Sequence, residues 1–236
     1  MDNCHNGTCS LHLPSVLVWT APFVLYLLLT KAISVASETC YPLLYTVCVL
    51  VTGSVTVYLM VTARPVRPHT RIIPGVMFGL IGIVLWIYLD RLGVEQTFYR
   101  LLPAWLLPDA RVAFNPFEQI RDPAVRWLFI LVRTAGLVLL VPLAEELFWR
   151  GWLMRWIISQ EWEQVPVGKF TLGSFLGVTL LFTLAHPEWL AAAVWCVLIN
   201  LLLYWRKDLW NCMVAHAVTN LCLVVYIMVF DVWSLW

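Results

Sequence analysis

Pro142-Leu143-Ala144-Glu145-Glu146-Leu147-Phe148-Trp149-Arg150-Gly151 puts two adjacent carboxylates and a guanidinium inside a stretch that is apolar on both sides. One charge at the centre of a bilayer costs ~2.5–3.5 kcal/mol on insertion scales, so three in one span call for partners or for a task. Glu146 and Arg150 are four residues apart and share a helix face, where they can pair. Glu145 projects about 100° away from that face, free to meet a cavity. Arg150 can balance only one of the two carboxylates. The other carboxylate is the first candidate for chemistry.

The surroundings settle the fold class. Of 236 residues, 61% are hydrophobic and only 12% are charged, about half the charge of an ordinary soluble domain. The chain therefore reads as all-α: a polytopic membrane bundle of about seven transmembrane helices plus an interfacial segment. Spans are expected over 14–36, 41–63, 72–89, 124–158, 170–188, 189–205 and 209–230. Pro142 predicts a kink in the fourth just before Glu145. Residues 94–123 carry Pro103, Pro108 and Pro116 among charges of both signs, too broken to span, and read as an outer interfacial segment. The whole chain, 1–236, reads as one membrane domain, with accessory spans in 1–123 and core helices in 124–230.

Formal net charge is +1, which excludes the broad basic field that nucleic acid requires. Arg64, Arg67, His69 and Arg71 form a short basic loop, and Lys169, Arg206 and Lys207 fall on the same side. By the positive-inside rule that side is cytoplasmic, with the N-terminus inside. The start lacks a basic, cleavable signal sequence. Seven cysteines, mostly in apolar segments, read as small packing residues. Cys4, His5, Cys9 and His12 match no standard zinc spacing.

Two later apolar segments carry polar pairs at one-turn spacing: Phe182 with His186, and His216 with Asn220. Glu145 lies 13 residues before Ile158, about 20 Å along a helix, and His186 lies at a similar depth counted from the same loop. His216 re-enters the bilayer beyond Asp208. The three elements are therefore expected to converge on a wet pocket.

A poorly solvated carboxylate can act as a general base near neutral pH. Glu145 is the candidate to activate water, with His186 sharing the proton or holding the water. His216 and the Asn220 amide can donate to a tetrahedral oxyanion, while Phe182 walls the pocket and Glu146 with Arg150 orients it. In the alternative, Glu145, His186 and His216 ligate a zinc-like divalent ion with one position open for water. No other cofactor is implied.

Glu145-Glu146-x-x-x-Arg150, Phe182-x-x-x-His186 and His216-x-x-x-Asn220, in that order and each in an apolar helix, resemble the three-motif signature of the CPBP family of intramembrane proteases. The resemblance covers about residues 140–223. It implies that Glu145 and His186 activate water and that His216 and Asn220 stabilise the oxyanion. It also implies a CAAX-prenyl-protease-like endopeptidase whose substrate is a polypeptide, lipidated or membrane-anchored. The run from Phe182 to Leu190 is further similar to a bacterial subgroup that accompanies exosortase systems, which implies a bacterial inner membrane.

Bland readings exist for each residue: an ion-pair lock for Glu145, Glu146 and Arg150, and satisfied buried side chains for His186, His216 and Asn220. Two other functions compete, a non-catalytic scaffold or immunity factor of the same fold and a proton-coupled transporter. Transporters usually show internal repeats, and none is visible here.

Overall fold

The computed structural model describes residues 15–35, 37, 39–100 and 113–236. Its helices, in chain order, are α1 (Ser15–Ile33), α2 (Tyr41–Ala63), α3 (Ile73–Arg91), α4 (Val94–Tyr99), α5 (Pro116–Gln119), α6 (Pro123–Ile158), α7 (Leu172–Leu184), α8 (Trp189–Arg206) and α9 (Leu209–Phe230). No strand occurs among the described residues. Six of these helices are long and apolar enough to cross a membrane. Leucines and valines on their outer faces, such as Leu28, Val61, Leu128 and Leu131, are exposed, the arrangement expected where lipid is the solvent.

The fifth expected span is corrected. Helix α7 has 13 residues, about 20 Å of rise, short of a hydrocarbon core about 30 Å thick. Ala185 ends it, and the turn to α8 lies at that depth. Helix α4 covers this turn: buried Glu95 accepts from Leu190 N–H at 3.1 Å, and Tyr99 donates to the Pro187 carbonyl at 2.8 Å. Of the expected interfacial segment, α4 and α5 are seen, while 101–112 lies outside the described residues. So do Cys4, His5, Cys9 and His12.

The expected kink at Pro142 takes another form. Helix α6 passes through a π-helical stretch over Gly136–Leu140, an α-helical one over Val141–Glu146 and a second π-helical one over Leu147–Leu153. Val141 N–H reaches the Gly136 carbonyl, five residues back. The next residue is Pro142, which has no N–H to give to Leu137. π-Turns inside α-helices concentrate at functional sites, and these two flank the Glu145–Glu146 pair.

Helix α9 is held against α3 by a glycine stripe. A Cβ on Gly75 would lie 2.7 Å from the Asn211 carbonyl, and one on Gly79 2.6 Å from the Ala215 carbonyl. Thr219 donates to the Gly79 carbonyl at 3.0 Å and Gly75 N–H to Asn211 Oδ1 at 2.9 Å. With no hydrophobic drive between helices in lipid, such close packing and hydrogen bonding carry association. Asp208 caps α9 by accepting from Trp210 N–H, and it also pairs with His69 Nε2 at 2.9 Å.

Gly79→Ala is expected to lower stability by about 1–3 kcal/mol, because the backbone it meets cannot rotate away. Gly53→Ala meets nothing within 4 Å and should be neutral or gain up to about 1 kcal/mol; thermal unfolding in detergent distinguishes the two. The Asp208 carboxyl lies below the usual aspartate range: burial pushes it up, but hydrogen bonds from Asn211, His69 and Trp210 N–H outweigh that. A folded value below the unfolded one means a contribution present above about pH 4 and lost as pH falls through the folded value. Unfolding temperature should therefore drop on acidification below pH 4, and Asp208→Asn should flatten that drop.

Candidate active site

Glu146 is fully buried and sits at the centre of the polar groups. Its Oε1 accepts from Arg150 Nη1 at 3.3 Å, one helical turn away, and pairs with His216 Nδ1 of α9 at 2.9 Å. A carboxylate facing a guanidinium can only accept, so His216 Nδ1 carries a proton and donates it to Glu146.

Arg150, also fully buried, is satisfied on three sides: Nε donates to Asn200 Oδ1 at 3.1 Å, Nη1 to Glu146 and Nη2 to Cys196 Sγ at 3.2 Å. Its guanidinium lies over the rings of Phe182 and Trp195, 5.1 and 5.5 Å from their centroids. Asn200 is oriented in turn by Thr179, to which its amide donates at 3.3 Å. Asn200, Cys196 and Thr179 escaped the sequence reading. The visible signal was Asn200, a lone amide amid the apolar run of α8.

The aromatic rings join the remaining motifs. His186 stacks on Phe182 with centroids 4.4 Å apart, Phe182 stacks on Trp195 at 5.5 Å, and Trp195 meets His216 edge-on at 4.5 Å. His186 Nδ1 lies 2.8 Å from the Phe182 carbonyl. A carbonyl only accepts, so Nδ1 donates and Nε2 keeps its lone pair. Short α7 ends here, which sets the imidazole at the turn rather than in mid-helix.

Asn220 departs from the simplest expectation. Its Nδ2 donates to the Leu137 carbonyl at 2.8 Å, the acceptor that Pro142 cannot serve in the π-turn. One amide hydrogen is thus engaged in holding α9 to α6, and the second is left.

Glu145 is half-buried, and its Oε2 is buried without a protein hydrogen-bond partner. Buried acceptors are satisfied in the great majority of cases, so an orphaned carboxylate oxygen asks for a water or a substrate donor. The three sequence motifs therefore meet through Glu146, Arg150, Phe182, His186 and His216, while Glu145 and Asn220 are half-buried on the same helices. The metal alternative fares differently. Among the described residues no group of three His, Cys, Asp or Glu side chains is arranged to hold an ion.

Residues 126–222 match the family model described as Type II CAAX prenyl endopeptidase Rce1-like. Over this segment the chain is similar to the Rce1-like family. All seven residues of the three motifs fall inside the match, which supports a CPBP-type intramembrane protease. Neither curated proteins nor solved structures give a match.

Removing one member of a buried ion pair leaves the other uncompensated, at a cost of about 3–5 kcal/mol. Arg150→Met should therefore destabilise the helical core by that order. The double variant Glu146→Gln/Arg150→Met should recover part of the loss, and a double-mutant cycle on thermal unfolding reads the coupling.

Proposed function

We propose that this Rce1-like chain is a CAAX-protease-like intramembrane endopeptidase that hydrolyses a peptide bond in a membrane-associated polypeptide. The observation that carries the reading is the orphaned, buried Oε2 of Glu145 beside a Glu146–Arg150 pair that is already satisfied. Glu145 is then the one carboxylate of the pair with capacity left for water.

In this reading Glu145 takes a proton from water while the His186 Nε2 lone pair holds it in place. The oxygen attacks the scissile carbonyl carbon, and the carbonyl electrons move onto oxygen. His216, protonated on both nitrogens, donates Nε2–H to that oxyanion, and the second amide hydrogen of Asn220 joins it. Collapse breaks the C–N bond, and the proton held by Glu145 passes to the leaving nitrogen, giving an acid and an amine. No step requires a metal ion.

The basic loop at 64–71 supports an inner-membrane orientation with the N-terminus in the cytoplasm, so that a lipidated tail reaches the site from that leaflet or laterally.

Cleavage of a prenylated CAAX peptide by the purified protein tests the proposal, with the same peptide lacking the lipid beside it. Glu145→Gln and His186→Ala should abolish cleavage with an unchanged unfolding temperature. Asn220→Ala should lower kcat by up to about 10²–10³, the cost of one oxyanion donor. Activity should survive exhaustive chelation. Full activity in Glu145→Gln would end the proposal, and loss on chelation with rescue by one metal would end its water chemistry.

A further inference from the structure

A second site lies on the basic face, away from the cluster around Glu146. An open depression of about 310 Å³ is lined by Trp19 of α1, Pro65, Val66, Arg67 and His69 of the α2–α3 loop, Val167 of the α6–α7 loop and Lys207, Asp208 and Leu209 of the α8–α9 turn. Its walls divide by chemistry. Trp19, Val66, Val167 and Leu209 supply an apolar side, while Arg67 and Lys207 supply cations. The carboxylate of Asp208 is engaged by His69 Nε2 at 2.9 Å and by the Asn211 amide. Among the described residues neither Arg67 nor Lys207 enters an ion pair.

The cations are placed by backbone, not merely exposed. Lys207 ends α8 in the left-handed region at φ 52°, and its N–H returns to the Leu203 carbonyl. Gly168, at φ 75°, packs so closely that a Cβ there would lie 2.9 Å from that carbonyl and 3.1 Å from Lys207 Cα. The α6–α7 loop thus fixes the turn that presents Lys207. Topology alone asks only that basic residues lie on this side. It does not ask for a cavity lined by both apolar and cationic side chains.

We propose that this cavity binds the phosphate of an anionic phospholipid in the leaflet that meets the basic face. The phosphodiester would sit between Arg67, whose guanidinium fork suits phosphate oxygens, and Lys207. The glycerol backbone would lie against Trp19 and Val66, with the acyl chains outside along α1. A volume of this size admits a headgroup but not the chains. Basic pockets between helices at a membrane interface are the usual seat of such headgroups.

Native mass spectrometry of the full-length protein in detergent tests the site by titrating phosphatidylglycerol against phosphatidylcholine. Retention of phosphatidylglycerol is expected to exceed that of phosphatidylcholine. It should weaken about fivefold in Arg67→Gln and again in Lys207→Asn, a fold-change equivalent to about 1 kcal/mol per basic group. Asparagine tolerates the left-handed backbone at 207, so the second variant keeps the turn. Arg71→Gln removes a charge from the same loop but not from the cavity, and should leave retention unchanged. Equal retention of the two lipids overturns the proposal, as does an Arg71→Gln loss matching that of Arg67→Gln. Inorganic phosphate at millimolar concentration serves as the soluble arm: a thermal shift with phosphate that Arg67→Gln abolishes, with no lipid retained, would assign the cavity to a free anion and overturn the lipid.

Discussion

The Arg150–Glu146 pair is the constraint around which the core is built. Both side chains are fully buried in a helix that crosses an apolar medium, where an uncompensated charge would be costly. Their remaining hydrogen-bonding capacity dictates what surrounds them. Arg150 requires acceptors on α8, which are Asn200 and Cys196, and π-faces above its plane, which are Phe182 and Trp195. Glu146 requires a second donor, and His216 of α9 provides it. Helices α6, α7, α8 and α9 thus meet because one ion pair has to be satisfied from all of them.

A second constraint comes from an imino acid. Pro142 sits between two π-helical stretches, and the backbone acceptor it leaves behind at Leu137 is taken by Asn220. Orphaned carbonyls at membrane depth must find partners within the protein. The pairing sets the depth of α9 against α6, while the glycine stripe of α3 sets its lateral position. His216, one turn before Asn220, is therefore placed from two sides before its own bond to Glu146 is counted. A residue in such a position suits chemistry that tolerates little displacement.

Much of this was legible in the sequence, for a physical reason. Polar groups in an apolar medium are conspicuous, so Glu145, Glu146, Arg150, His186, His216 and Asn220 stand out against their helices, and one-turn spacing tells which pairs project together. The expected Glu146–Arg150 pair is present. What could not be read was how backbone geometry shares out hydrogen bonds. Proline forecast a distortion, but not that the helix would open into π-turns or that Asn220 would spend an amide hydrogen on them. Helix α7 read as a full span because Phe170 to Glu188 is apolar nearly throughout. Its early end at Ala185 depends on α4 covering the turn through Glu95 and Tyr99, contacts between segments far apart in sequence. Nor could the role of Arg155 be read, whose guanidinium clamps the carbonyls of Val165 and Gly151.

Two adjacent glutamates at the centre of a membrane helix would be redundant if both were structural. Arg150, Asn200, Cys196 and His216 are all spent on Glu146 and its partner guanidinium, and none donates to Glu145. The helix could have carried Leu or Gln at 145 and kept every hydrogen bond around Arg150. Retaining a carboxylate there, half-buried and with an oxygen unserved by the protein, incurs a desolvation cost that packing does not offset. An external donor does offset it. A water molecule is such a donor. The two neighbours are therefore treated differently by the protein: Glu146 is bonded across the core, and Glu145 keeps a buried oxygen that no described residue serves.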